Sequence, residues 1–300
     1  MLLGCTLRQS IAAKASCKNA NPSYNDGACA MPDALLDRTE INGHPATVED
    51  MRAVALLNYG HFTSMQVRSG CVRGLDLHFA RLEQATRELF GHTFNVDATR
   101  GYLRQIVGDD ARALSLRVNV FSRALQRDRL NEPSIPDVLV STSVARDIVP
   151  VPVRVRSVRY EREAPHIKHV GTFGLFQQKR LAQAAGFDDA LFIDTSGAIC
   201  EGSMWNVGFF DGVRVVWPNA PALDGVAMQL LKGGMQALGM ASITRRVELA
   251  EIAAFHGAFF TNSSCVVLPV GGIDDVDYAL DPQTLTLLAA CMELAPWQRL

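Results

Sequence analysis

The chain reads Ala164-Pro165-His166-Ile167-Lys168-His169 near its middle and Glu201-Gly202-Ser203-Met204-Trp205-Asn206 further on. The lysine follows a proline-marked segment. It precedes an alanine-rich stretch that reads as a helix to Ala185, with Gly186 as its C-cap. The glutamate closes a hairpin whose strands are residues 190–194 and 198–201 and whose turn is Thr195-Ser196-Gly197. An amine and a carboxylate therefore each stand at the end of a regular element.

Downstream, residues 207–210 and 213–217 form a second hairpin through Asp211-Gly212. A helix is predicted over 226–238, strands over 258–261 and 266–270, and a last helix over 282–294. Asn262-Ser263-Ser264 lies between those two strands. Upstream, Leu75, Phe79, Leu82 and Leu89 share one helical face, and Gly91 caps that helix. His78 and Arg81 share a different face. A second helix covers 98–107. The run from Leu114 to Phe121 alternates cleanly, as a half-buried strand does, and residues 137–141 form another. Residues 54–57 and 62–67 read as strands around Tyr59-Gly60, and Ile41-Asn42-Gly43 as a short strand and turn.

Pro150 and Pro152 mark a connection. The fold class is α+β in two domains. A small domain covers 38–147, a connection and first strand 148–160, and a large domain 151–300. Residues 1–37 are rich in Ala, Ser, Asn and Cys without periodicity. They read as a disordered extension, with Met31 as an alternative start.

Hydrophobic content of 48% beside 20% charged residues is that of a globular protein. A net charge of −2 supplies no footprint for nucleic acid or an anionic membrane. No apolar run reaches the roughly eighteen residues needed to span a bilayer. Seven widely spaced cysteines without a C-x-x-C argue against a disulfide framework or a zinc site and fit a reducing cytoplasm. His166 and His169 have no third ligand near in sequence, so no metal site is expected. Asp274-Asp275-Val276-Asp277 lacks the glycine and distal glutamate of a calcium loop and reads as a solvated turn.

The amine and the carboxylate suit a pyridoxal ring. The amine condenses with the aldehyde, and the carboxylate keeps the ring nitrogen protonated. Four pieces in order carry a resemblance: Leu77-His78-Phe79-Ala80-Arg81-Leu82; Lys168; Glu201-Gly202 with Asn206; and Thr261-Asn262-Ser263-Ser264 leading to Pro269-Val270. Through them the chain resembles the class IV aminotransferases, fold type IV pyridoxal-phosphate enzymes. That group includes branched-chain and D-amino-acid aminotransferases and aminodeoxychorismate lyases. The resemblance runs from Glu40 to Leu294.

It implies a D-amino-acid-aminotransferase-like architecture, a homodimer, pyridoxal 5'-phosphate as cofactor and Lys168 as the catalytic Schiff-base lysine. Glu201 then pairs with the pyridine nitrogen. Arg81 binds the phosphate, since a guanidinium donates two parallel hydrogen bonds to such a group. Gly225-Val226-Ala227 opens a helix whose free N–H groups cradle the same phosphate, and Ser263 and Ser264 add hydroxyls and amides. Asp224, beside that helix start, is expected to face away. Tyr59, Phe62, Thr63, Asn206 and Asn262 are the candidates for the substrate pocket.

Two departures bear on the reaction. The aminotransferases often present a tyrosine to the cofactor's phenolic oxygen, five residues after the lysine or in the small-domain strand. Phe173 and Phe62 stand there instead, and neither donates, which leaves Tyr59 as the nearest candidate donor by sequence. Phe62-Thr63 and Ile167-Lys168-His169 are similar to the lyases. The first expectation is transamination between an amino acid or amine and a 2-oxo acid. The second is an aminodeoxychorismate lyase. A non-catalytic pyridoxal-phosphate-binding protein is the third. Lys168 together with Glu201 argues against it, because a binding module needs no electron sink.

Overall fold

A computed structural model of the protein describes residues 37–109, 112–145 and 148–300. Residues 1–36 of the expected extension, Met31 among them, lie outside the described residues. The first elements are β1 (Thr39–Ile41), β2 (His44–Pro45), α1 (Val48–Leu57), β3 (His61–Arg68), β4 (Cys71–Arg73), α2 (Leu75–Phe90), α3 (Val96–Val107), β5 (Leu114–Phe121) and β6 (Asp137–Val144). Next come β7 (Val153–Arg159), α4 (Phe173–Ala184), β8 (Asp189–Ile193), β9 (Ile199–Gly202), β10 (Asn206–Phe210) and β11 (Val215–Pro218). The chain continues with α5 (Val226–Ala237), β12 (Ser242–Arg245), β13 (Gly257–Asn262), β14 (Cys265–Ile273), β15 (Val276–Asp277), α6 (Pro282–Glu293) and β16 (Trp297–Arg299).

Among the described residues these strands make two sheets. The first is antiparallel, in the order β16-β4-β3-β5-β6-β1-β2. The second is mixed, in the order β12-β11-β10-β13-β14-β7-β8-β9, with β15 on β14. The strand Trp297–Arg299, expected within the large domain, instead pairs with β4 of the first sheet.

Alternation decides what each face of the first sheet does. Leu114, Leu116, Val118 and Val120 of β5 are buried with Leu75, Phe79 and Leu82 of α2 and with Leu103 and Ile106 of α3. Successive side chains of a strand point to opposite faces, so Arg117 and Asn119 emerge on the other side. The register sets Phe62 opposite Asn119 and Ser64 opposite Arg117. The second sheet has its own core, where Trp217 and Phe259 meet Leu231 of α5 and Leu288 of α6.

Residues 54–57 end a helix and are not the expected strand. The Thr47 side chain accepts from the Asp50 N–H at 3.2 Å, and Asp50 accepts from the Thr47 N–H at 2.9 Å. That capping box nucleates α1 and outweighs the apolar run that reads as extended. Asn58, at φ 48°, closes the helix in the left-handed region. On α2 the expected Gly91 cap is present, with its N–H donating to Arg87 O at 3.1 Å. The four cysteines among the described residues are free, and no described helix is long and apolar enough to cross a membrane.

Leu82 is fully buried at the centre of the first core. Leu82→Ala should therefore lower unfolding stability by about 2–5 kcal/mol through lost transfer energy and a residual cavity. Denaturant titration reads this directly, and a loss below about 0.5 kcal/mol would show that the site is not packed as described.

Candidate active site

Lys168 sits in the irregular segment between β7 and α4, and that segment is stitched to the start of β3. The Phe62 N–H donates to Lys168 O, and the Val170 N–H donates to Gly60 O, each at 2.9 Å. Gly60 leaves no room for a side chain, since a Cβ would lie 2.4 Å from Val120 O. The Lys168 ammonium lies 4.9 Å from the centre of the Phe62 ring, and the Arg117 guanidinium lies 3.6 Å from it. Enclosure by protein, then Arg81 and Arg162, lower the Lys168 pKa to about 7 against the opposing pull of Glu201. Much of this lysine is therefore a free amine at neutral pH, as a nucleophile must be.

Glu201 lies one residue before the end of β9, and each of its oxygens is held. Arg162 Nε donates to Oε1 at 3.0 Å, and the Leu223 N–H donates to Oε2 at 3.1 Å. The same guanidinium donates to Ile167 O at 2.8 Å and to Pro165 O. Arg162 thus joins the carboxylate to the loop that carries the lysine. It is absent from the residues that the sequence nominates. Its only signal is a charge in Glu161-Arg162-Glu163, and nothing local says that the arginine is buried.

At the start of α5, Asn206 Nδ2 donates to Leu223 O at 2.7 Å. A Cβ on Gly225 would lie 2.0 Å from Asn206 Oδ1, so this approach requires glycine. No side chain caps the helix, and its first N–H groups are free of an acidic partner. Asp224 is exposed and makes no cap, yet its charge reaches Arg81 and partly offsets the lowering of that pKa by burial. Asn262 Oδ1 accepts from the N–H groups of Ser264 and Cys265 at 2.8 and 2.9 Å, which shapes the turn after β13.

These parts surround a cavity of about 160 Å³. Every residue nominated for the cofactor lines it: Lys168, Glu201, Arg81, Gly225, Val226, Ala227, Ser263 and Ser264. Phe62, Asn206 and Asn262 line it too. Tyr59 does not. Its hydroxyl donates to Leu89 O at 3.4 Å beside a separate cavity of about 110 Å³ under α1, so it cannot replace the missing tyrosine. Thr63 also stays off the wall, because strand alternation turns it to the buried side, against Arg81 and His78. Arg117, Arg162, Ser203 and Thr261 join the lining without having been nominated. A larger, mostly apolar cavity of about 470 Å³ shares the turn 262–264 and the start of α5.

Arg81, Arg117, Arg162 and Lys168 face one carboxylate, so the pocket favours anions. Arg81 makes no ion pair among the described residues, and its Nε is buried without a partner, as are Ser203 Oγ and Thr261 Oγ1. Unmet buried donors of this kind fit a bound oxyanion. The amine, the carboxylate and this donor set together fit pyridoxal 5'-phosphate: an aldehyde, a ring nitrogen and a phosphate. No group of three or more His, Cys, Asp or Glu able to hold a metal occurs among the described residues.

A lysine with a lowered pKa thus shares a cation-lined cavity with one buried carboxylate. Residues 60–273 match the family described as Amino-transferase class IV, and the chain belongs to that family. It is 22% identical to the aminodeoxychorismate lyase of Bacillus subtilis (strain 168) over 74% of this chain and 80% of that one. It is 32% identical to a probable branched-chain-amino-acid aminotransferase of Rickettsia felis, over 32% of this chain and 33% of that one. In fold it is similar to a hypothetical aminotransferase from Mycobacterium tuberculosis in its PLP-bound form. The TM-score is 0.70 at 19% identity, covering 85% of this chain and 97% of that one.

Two measurements probe the site. Only the neutral amine attacks an aldehyde, so labelling of Lys168 by an aldehyde should rise through pH about 7 and level off above it. A midpoint near the ordinary 10.5, read by mass spectrometry, would contradict its enclosure and the cations around it. Arg162→Leu strands a buried carboxylate and should cost about 3–5 kcal/mol of unfolding stability, part of which Arg162→Leu with Glu201→Gln regains. A double-mutant cycle without coupling would separate the two residues.

Proposed function

We propose that the protein is a pyridoxal-phosphate-dependent aminotransferase that moves an amino group from an amino acid or amine to a 2-oxo acid. The observation that carries this is the Lys168 amine and the braced Glu201 carboxylate lining one cavity with Arg81 and the uncapped start of α5. When bound, the cofactor supplies an aldehyde for amines and a ring that draws electrons from the substrate's Cα.

The chain's own residues do the rest. Lys168 holds the cofactor covalently at rest. Once released, its Nζ takes and returns the proton at Cα, a role suited to an amine with a pKa of about 7. Glu201 keeps the ring nitrogen protonated and is itself aimed by Arg162 and the Leu223 N–H. Arg81, the first N–H groups of α5, Ser263 and Ser264 hold the phosphate. Arg117 has a hydrogen bond to Asn119 and lies against the Phe62 ring, but makes no ion pair among the described residues. We assign it to a carboxylate of the substrate. The reading includes a homodimer of two-domain protomers.

Lyase chemistry on aminodeoxychorismate is the second reading. The match over 80% of a lyase's length and the non-donating Phe62 and Phe173 favour it. One experiment separates the two. A transaminase given an amino donor loses its yellow colour once and regains it only when a 2-oxo acid is added. A lyase given aminodeoxychorismate releases aminobenzoate and pyruvate continuously with no acceptor. Lys168→Ala should cut either turnover by about three orders of magnitude or more, and borohydride should fix the cofactor to the Lys168 peptide. Continuous turnover on aminodeoxychorismate faster than any donor–acceptor pair would overturn the first reading.

A further inference from the structure

His78 and Thr63 have no part in the chemistry above, yet both are buried beside the phosphate-binding arginine. His78 precedes Arg81 by one turn of α2, and Thr63 faces both from β3. Arg81 Nη2 donates to Thr63 Oγ1 in a short contact. A guanidinium has donors only, so the threonine oxygen is the acceptor. The hydroxyl's own hydrogen then needs an acceptor, and His78 Nδ1 lies 2.6 Å away. Nδ1 is also 3.4 Å from Arg81 Nη2. A proton on Nδ1 would set a third donor against these two, beside a full positive charge. The imidazole is therefore neutral, with its hydrogen on Nε2. The environment agrees: burial, with Arg81 and Lys168, holds His78 well below its ordinary pKa.

We propose that Thr63 and His78 form a positioning relay, with His78 Nδ1 accepting from the Thr63 hydroxyl and Thr63 Oγ1 accepting from Arg81 Nη2, that presents Arg81 to the cofactor's phosphate. The proposal rests on the pyridoxal-phosphate reading above. The relay grips the guanidinium at Nη2 and leaves Nε, which is buried and without a partner, for an incoming oxyanion. An arginine side chain has large rotamer freedom, and a β-branched threonine is stiff at χ1. Anchoring the flexible group on the stiff one fixes it before the ligand arrives, which raises affinity without a new contact to the ligand. Strand alternation lets β3 serve both ends of the site: Phe62 lies under the Lys168 amine, and its neighbour Thr63 holds the arginine.

The test compares two ligands on apoprotein, pyridoxal 5'-phosphate and pyridoxal, by equilibrium binding. Thr63→Val keeps the shape and removes the hydroxyl. It should weaken pyridoxal phosphate by about tenfold or more and leave pyridoxal within about twofold. Thr63→Ser should restore the phosphate-dependent affinity. His78→Leu should reproduce the loss, and His78→Asn, which keeps an acceptor near Nδ1, should recover part of it. A merely structural role would lower both ligands together and would not be rescued by serine, and that result overturns the relay. So does a Thr63→Val protein that binds pyridoxal phosphate like wild type. If Arg81→Ala then still loses affinity for the phosphate ester, the cofactor reading stands and only the relay falls. Wild-type protein that binds no pyridoxal phosphate refutes both. Should Thr63→Val fail to fold, the His78→Leu and His78→Asn pair decides by the same criterion.

Discussion

Arg162 meets Glu201 at 3.0 Å with both side chains almost wholly buried. Taking two such charges out of water is costly, and the pair is tolerable only where the remaining hydrogen-bonding groups are also met. Here they are met by Ile167 O, Pro165 O and the Leu223 N–H. Those partners belong to the lysine loop and to the segment that leads into α5. One ion pair therefore fixes three things at once: where the lysine stands, how the carboxylate is aimed, and where the helix with free N–H groups begins. Asn206 tightens the last of these by binding Leu223 O and pressing on Gly225.

The first sheet supplies the opposite wall by a simpler rule. One face of β3 and β5 is apolar and buried against α2 and α3, which sets the register. The other face then has no choice about where Phe62, Ser64 and Arg117 point. The cations that gather in the cleft are partly shielded from water, and so each acts strongly on the next. Enclosure first, and then the same cations that favour an anionic ligand, lower the lysine's pKa to about 7.

Much of this was legible from local pattern. The alternation of 114–121, the helical face of Leu75, Phe79 and Leu82, and the hairpin that ends at Glu201 are short-range signals, and the structure keeps them. The residues nominated for the cofactor are legible through their order along the chain, and they line one cavity. What escaped has a common physical origin. A capping box at Thr47 and Asp50 decides α1, against an apolar run at 54–57 that suggests a strand. Tyr59 and Thr63 neighbour Phe62 in sequence, whereas a hydrogen bond to Leu89 O and strand alternation turn them elsewhere. Arg162 and Arg117 look like surface charges until distant segments close over them. β4, β12 and β16 are too short to show a period, and β16 has its partner far away in sequence.

The pairing of β16 with β4 has a consequence for synthesis on the ribosome. Chains emerge from the N-terminal side, so β4 is out of the exit tunnel long before Trp297–Arg299 arrives to cover its outer edge. Leu300, which joins the core of the first sheet, arrives later still. Throughout that interval the nascent sheet presents an unpaired edge, a template for strands of other chains. A chain halted before Trp297 would carry every residue that lines the cleft and still leave the β4 edge uncovered.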